Sequence, residues 1–336
     1  MRPSLPHPDT PHQPVAPGGG ALPVETTGLR RRVLLAALGG TLTAGLAGCE
    51  LRLGTSPMPV VPTADAAEAA RDSLARQARL ISETAEVVAQ GGQEPVHKLA
   101  AQITHWAATQ AKALGGVWEP WPTATALPSG FPTATPLPTA SATAGPEELV
   151  SCLEAGADLA RGCCEQESVP EVASTYASLY VAWTVWQHRL APQTPAEPGR
   201  DTTLLSAPLP AALLLAYDSA RFTLQTVAAR STDAQRERAV ADAQVADRVV
   251  RASLALGGED PRLPAYDPPQ VRATGSPEQD WAHAVEMAVL HAEVAACATL
   301  EGADRLQALA GAADMALRAR QWGSGPGDSP WPGLDG

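Results

Sequence analysis

The chain has 336 residues, 45% of them hydrophobic, and a formal net charge of −12 at pH 7. This apolar fraction supports a globular core, and the length allows two domains of ordinary size. Because the surface carries an excess of acid, it disfavours nucleic acids and anionic lipid headgroups, so nucleic-acid binding is excluded as a function.

A short apolar segment near the N-terminus predicts export. Arg30, Arg31 and Arg32 precede an apolar run over residues 33–47, which is shorter than the about 20 residues that span a bilayer. We therefore predict a lipoprotein signal peptide over residues 1–48. The paired arginines favour the twin-arginine route, with ordinary secretion as the alternative.

The apolar run ends in Leu46-Ala47-Gly48-Cys49, which resembles a lipoprotein cleavage site. Small residues before the cysteine allow the backbone to enter a peptidase cleft, and the Cys49 sulfur can be lipidated. This predicts a protein held by membrane lipid through acylated Cys49, on the extracytoplasmic face of the cell membrane. The alternative is a buried helix that happens to precede a cysteine.

Helical periodicity follows a tether over residues 49–62 and predicts an N-terminal helical bundle over residues 63–190. A Pro/Thr-rich loop over residues 117–145 interrupts the bundle, because repeated prolines favour extended backbone. The predicted helices cover residues 63–90, with Thr63 as the cap, and 96–114, and two more begin at Pro146 and Pro170.

A Pro-rich linker over residues 191–207 separates this half from a second bundle over residues 208–322, which a tail over 323–336 follows. We predict capping boxes at Thr232 with Gln235 and at Ser276 with Gln279. One long crossover among four helices is the ferritin-like pattern, so the sequence predicts an all-α fold of tandem helical bundles. The four helices are predicted over residues 209–229, 232–257, 277–299 and 302–321.

Three stretches of the C-terminal half carry a family resemblance: residues 258–266, the helix over 281–296 with Glu286, and the ending from 319–322 to Trp331-Pro332-Gly333-Leu334. They resemble the ferritin-like domain of unknown function 4439, found in actinobacterial exported proteins, many of them lipoproteins. The resemblance covers about residues 205–336. It implies a four-helix bundle and no established activity.

A ferritin-like di-metal site needs a Glu from each of two helices and Glu-x-x-His from the other two. The C-terminal half has no Glu-x-x-His, and His283, Glu286 and Glu293 are its weak metal candidates. They share a helical stripe with Leu290 and Cys297. We expect this stripe to face solvent or the other bundle, and we predict no cofactor. The buried side of this helix is predicted to be Trp281, Val285, Ala288, Ala292 and Ala295.

Four cysteines remain after Cys49, namely Cys152, Cys163, Cys164 and Cys297, and they allow three disulfide pairings. Cys152 and Cys163 are too far apart to bridge along one straight helix, and a vicinal bridge between Cys163 and Cys164 strains the peptide. A bridge from this region to Cys297 would connect the two halves. The pairing stays open.

The sequence contains no recognisable catalytic constellation or phosphate-binding loop. We expect a non-catalytic lipoprotein that binds an envelope protein or a small ligand, and we lean against enzymatic activity. One alternative is a ferritin-like metal-binding or redox protein. The other is a small-ligand carrier that uses the groove between the bundles.

Overall fold

The computed structural model describes the chain from residue 62 to residue 334 with five gaps. Contacts divide the chain after Met58, and the unit Pro59–Gly336 holds all described residues. The predicted signal peptide, Cys49 and nearly all of the tether lie outside the part described here. The described ranges are 62–91, 94–120, 135–193, 199–271, 275–323 and 329–334.

Within these ranges the regular structure is helical, so the predicted all-α class is confirmed. Eight α-helices and one 3-10 turn, Thr202–Leu204, are present among the described residues. The predicted helix limits agree with the observed ones within three residues. The helices are α1 (Ala66–Gly91), α2 (Val96–Ala113), α3 (Pro146–Gln166), α4 (Pro170–Leu190), α5 (Ala211–Arg230), α6 (Asp233–Ala255), α7 (Pro277–Ala296) and α8 (Gly302–Gln321).

The N-terminal helix group, α1 to α4, is built on apolar stripes. On α1 the buried residues include Leu74, Ile81 and Val88, at the spacing that places side chains on one helix face. This helix packs against α2 and α3, and α3 packs against α4. Its predicted cap was wrong: Thr63 is exposed, and Asp65 accepts the Glu68 amide hydrogen at 2.8 Å instead.

Aromatic residues of α4 fill the centre of the N-terminal helix group. The Trp183 side chain is fully buried, and its indole N–H donates to Gln110 Oε1 of α2 at 2.8 Å. Gly156 of α3 allows this packing, because a Cβ there would lie 2.8 Å from the Trp183 ring. The described ends of the Pro/Thr-rich loop contact α1, where Asp72 accepts the Trp118 amide hydrogen at 2.7 Å.

The C-terminal helix group, α5 to α8, has α5 packed against α6 and α7, and α7 against α8. The two helix groups also touch, because α8 contacts α3 and α4 while α7 contacts α4. The division into two domains and the ferritin-like relationship stay predictions. No described helix has both the length and the apolar character needed to cross a membrane.

The two predicted capping boxes have different outcomes. The Ser276 side chain accepts the Gln279 amide hydrogen at 3.3 Å, and the Gln279 side chain accepts the Ser276 amide hydrogen at 3.3 Å. The box at Thr232 is wrong, since its side chain makes no capping hydrogen bond. Asp233, the next residue, has a φ of 48°, so the first turn of α6 does not present its N–H groups to Thr232.

Candidate functional site

A cleft of about 600 Å³ lies between the two helix groups. This volume falls in the range of small-molecule sites, roughly 300–1,000 Å³. Helices α3 and α4 line one side, α5, α6 and α8 line the other, and residues 199–204 run along it. Its charged lining residues are Arg161, Arg200, Arg248, Arg318, Asp201 and Asp314.

Arg200 is the most buried cation of the cleft, with its side chain only 1% exposed. Its Nε donates to Glu293 Oε1 at 2.9 Å, and its Nη2 donates to Glu293 Oε2. Two parallel bonds of this kind are the preferred geometry between arginine and carboxylate. The remaining nitrogen, Nη1, is buried and has no hydrogen-bond partner among the described residues.

Tyr217 of α5 completes this first cluster, because its hydroxyl donates to Glu293 Oε1 at 2.6 Å. Burial, then the negative charge of Glu293, raises the pKa of Tyr217 well above its ordinary value, so the hydroxyl stays protonated. Burial opposes the charge of Arg200, but its interactions with Glu293 outweigh this effect and raise the pKa of the guanidinium. The cluster is therefore a charged and hydrogen-bonded unit.

Gly311 of α8 makes room for the Glu293 carboxylate. A Cβ at this position would lie 2.3 Å from Glu293 Oε1 and 3.3 Å from the Tyr217 hydroxyl. Real atoms do not approach so closely, so only a glycine lets α8 pass over the carboxylate while it holds Arg200.

A second cluster surrounds Arg318 of α8. Its Nη1 donates to Asp242 at 2.6 Å, and its Nε donates to the Asp314 oxygens at 2.9 and 3.0 Å. The Trp322 indole N–H lies 3.0 Å from Asp242 Oδ2 and 3.3 Å from Glu286 Oε1. Two acids thus neutralise this arginine, and its charge is committed to the protein.

Glu286 is 1% exposed, and its Oε2 has no hydrogen-bond partner among the described residues. Burial, reinforced by the nearby Asp242 charge, raises the pKa of Glu286 well above its ordinary value. Protonation of Glu286 would account for both the unpartnered Oε2 and the raised pKa, because the acid hydroxyl can donate a hydrogen bond to Asp242. The raised pKa therefore favours the neutral form of Glu286.

The rim of the cleft carries two arginines of a different kind. Arg161 of α3 and Arg248 of α6 are exposed and line the cleft from opposite helix groups. Neither forms a hydrogen bond or an ion pair with any part of the chain that the structure describes. Since Glu293 neutralises Arg200, and Asp242 and Asp314 surround Arg318, the rim arginines are the cleft cations that no described residue neutralises.

The structure separates the three metal candidates. Glu293 lies in the Arg200 cluster and Glu286 in the Arg318 cluster, while His283 lines a cavity of about 20 Å³ elsewhere. Burial lowers the pKa of His283. Within the described ranges, no group of three or more His, Cys, Asp or Glu side chains could hold a metal ion.

The expected orientation of α7 was wrong in part. Val285 is buried as predicted, but Glu286, Glu293 and Leu290 are also buried, whereas Ala288 and Ala295, expected inside, are exposed. The helix turns both carboxylates inward because Arg200 pairs with Glu293 and the Trp322 indole N–H donates to Glu286. Sequence reasoning missed Arg200 because it lies in a Pro-rich stretch with no helical period; the signal was an acid at a core position, which requires a partner.

The remaining predicted site residues are the cysteines and the residues of the export signal. Cys152 and Cys163 are half-buried free thiols, and Cys164 and Cys297 are buried free thiols. The arginines of the export signal (30–32), the cleavage-site residues (46–48) and Cys49 lie outside the described residues.

No protein-family model, curated protein or solved structure matches this chain. The resemblance to the ferritin-like domain family therefore stays a prediction.

Proposed function

We propose that the chain is an exported, lipid-anchored binding protein whose cleft holds a small anion with two or more carboxylate or phosphate groups. The observation that carries this proposal is a pair of arginines, Arg161 and Arg248, that have no partner among the described residues and line a cleft of about 600 Å³. A guanidinium presents a planar fork of donors that matches carboxylate and phosphate oxygens.

The interior of the cleft supports an anionic ligand as well. One buried nitrogen of Arg200 has no acceptor among the described residues, and a buried donor left unpaired costs about 1–3 kcal/mol. An oxygen of a bound anion would satisfy it. Attraction to the rim followed by a hydrogen bond at depth would give both rapid capture and selectivity.

Binding without chemistry is the favoured activity. The described residues that line the cleft include no Ser, Thr, Cys, His or Lys, the side chains that most often act as nucleophile or general base. Tyr217, one of the two tyrosines in the described lining, holds its proton firmly because it is buried beside Glu293. The described lining is suited to hold a charged molecule.

The lipid anchor rests on the Leu46-Ala47-Gly48-Cys49 sequence after Arg30, Arg31 and Arg32. In this proposal the acyl chains on Cys49 hold the protein at the outer face of the membrane, and residues 50–62 separate the helices from the bilayer. Cys49→Ala should leave the protein unprocessed or released from the membrane fraction. Normal cleavage with continued membrane attachment would contradict the anchor.

A thermal-shift assay of the full chain tests the binding proposal, with citrate and pyrophosphate as probes and glucose as the uncharged control. We expect both anions to raise the Tm and glucose to have no effect. Arg161→Gln and Arg248→Gln should each remove most of this shift. Arg251→Gln is the matched control, because Arg251 is also on α6 but pairs with Asp247 at the surface.

Anion shifts that persist in both rim variants would contradict the cleft as the site. No shift with either anion would contradict an anionic ligand of this class.

A further inference from the structure

Two buried thiols meet where the N-terminal and C-terminal helix groups touch. Cys164 lies in the last turn of α3, and Cys297 directly follows α7. Both side chains have no exposed surface, and each thiol shifts the pKa of the other, so the two lie close together. Cys164 donates in turn to the Ala173 carbonyl at 3.3 Å.

Arg305 of α8 fixes the backbone on both sides of this pair. Its Nη1 donates to the carbonyl oxygens of Cys164 at 2.7 Å and Glu167 at 2.5 Å, at the carboxyl end of α3. Its Nε donates to the Leu300 carbonyl at 2.6 Å, just beyond Cys297. One buried guanidinium therefore holds the two cysteine-bearing segments together.

The other two cysteines have different surroundings. The Cys152 sulfur lies 3.8 Å from the Thr84 hydroxyl on α1. Cys163 is the neighbour of Cys164 on α3, and one residue along a helix turns the side chain by about 100°, so Cys163 faces away from Cys297. The fold thus distinguishes one pair among the pairings that the sequence leaves open.

We propose that Cys164 and Cys297 form a disulfide that links the two helix groups, while Cys152 and Cys163 remain thiols. The oxidant is a disulfide-bearing compound. The Cys164 thiolate attacks one of its sulfur atoms and releases a thiol, and the Cys297 thiolate then displaces the second thiol from the mixed disulfide. Two protein thiols thus lose two electrons and two protons, and the oxidant disulfide becomes two thiols.

Attack by either thiolate gives the same disulfide, so the order of the two steps does not affect the product. In the folded state the neighbouring Cys297, followed by the positive charge of Arg305, lowers the pKa of Cys164 despite its burial. Burial means that exchange occurs during folding or local opening, and that the finished bond is shielded from reductants.

The test maps thiols in the full chain after folding with oxidised glutathione. We expect an intact mass about 2 Da lower than that of the reduced chain, the mass of two hydrogens. A protease digest should contain a cross-link between the peptide with Cys297 and the peptide with Cys163 and Cys164. Cys163→Ser should keep this cross-link, whereas Cys164→Ser and Cys297→Ser should lose it.

Reduction should also lower the Tm of the wild type and of Cys163→Ser by roughly 5–15 °C, because the bond closes a loop of about 130 residues. The Tm of Cys164→Ser and Cys297→Ser should not respond to reductant. Unmodified mass after oxidation, or a cross-link to Cys297 that survives Cys164→Ser, would overturn the proposal. The wild-type digest decides this even if a variant fails to fold.

Discussion

The two helix groups have different interiors. In the N-terminal helix group, the buried polar side chains of the described residues are uncharged; they are Thr84, Gln110, Ser174, Ser178 and Thr184. In the C-terminal helix group they include five acids and one arginine; these are Asp218, Asp242, Asp280, Glu286, Glu293 and Arg305. Both groups have an apolar core, and the second also contains buried charges.

This contrast shows where the molecule carries chemistry. A buried charge costs free energy unless it is paired, and replacing such a pair with well-packed apolar residues is often neutral or stabilising. Stability alone therefore does not require the Arg200 and Arg318 clusters. Both clusters border the cleft, so the charges lie where the proposed ligand would bind.

The largest effect is expected from Arg200→Met, which leaves the Glu293 carboxylate buried without its ion pair. Removing one partner of a buried pair costs about 3–5 kcal/mol, measured as the free energy of urea unfolding. Arg79→Met is the control in the N-terminal helix group, since Arg79 and Glu83 pair at the surface and should contribute less than about 1 kcal/mol. Equal losses in the two variants would remove the contrast between the interiors.

Alanine substitutions at Gly156 and Gly311 allow a direct comparison of the two interiors. A Cβ would meet the Trp183 ring at 2.8 Å in the first case and the Glu293 carboxylate at 2.3 Å in the second. Each alanine substitution should destabilise the protein by roughly 1–3 kcal/mol. Only Gly311→Ala should also weaken citrate binding, because it displaces the carboxylate that positions Arg200.

Gly162→Ala serves as the control for these substitutions. This α3 position has nothing within 4 Å of an added Cβ, so alanine should be neutral or stabilise by up to about 1 kcal/mol. Weaker citrate binding in Gly156→Ala would show that the two interiors are not independent.

Glu286→Gln is expected to have a smaller effect on the free energy of unfolding, and this effect should depend on pH. Because the folded pKa of Glu286 lies above its unfolded value, the folded state binds more protons once the pH exceeds about 4.3. Its contribution to stability therefore falls as the pH rises from there toward the folded pKa, by at most about 1.4 kcal/mol per pH unit.

The amide of Glu286→Gln mimics the neutral acid and removes this dependence. As the pH rises from 5 to 8, the free energy of unfolding of the variant should increase relative to that of the wild type, as measured by urea unfolding at each pH. If the difference in stability between wild type and variant instead stays constant over this range, Glu286 is charged in the folded state.

The smallest effects on stability are expected from substitutions at two helix caps. Ser276→Ala should cost about 1 kcal/mol in the free energy of unfolding, because it removes an observed capping bond. Thr232→Ala should cost clearly less, since Thr232 makes no such bond. A comparable loss at both positions would mean that the Thr232 box forms in solution.

The helices could be predicted from the sequence because each has an apolar stripe and most have clear ends. The site could not, for two physical reasons. Arg200 follows a Pro-rich stretch where no periodicity marks a buried side chain, and its partner Glu293 is 93 positions away. The orientation of α7 depends on the pairing of Glu293 with Arg200, so the alanine positions alone did not predict which side of this helix is buried.

The two rim arginines could not be predicted from the sequence either. Arg161 and Arg248 lie on exposed faces of helices in different halves of the chain, where charged residues are ordinary. Only the contact between the helix groups brings them to one cleft. By contrast, a link between the 152–164 region and Cys297 was an open option in the sequence, and the fold reduces it to one pair of neighbouring thiols.

The most direct test of the proposed function is a calorimetric titration of the full chain with citrate at low and at physiological salt. The account predicts saturable binding of one citrate per chain that weakens with salt. It also predicts at least a tenfold loss of affinity in Arg161→Gln/Arg248→Gln, with no change in Arg251→Gln. No saturable binding, or equal affinity in the wild type and the double variant, would contradict it.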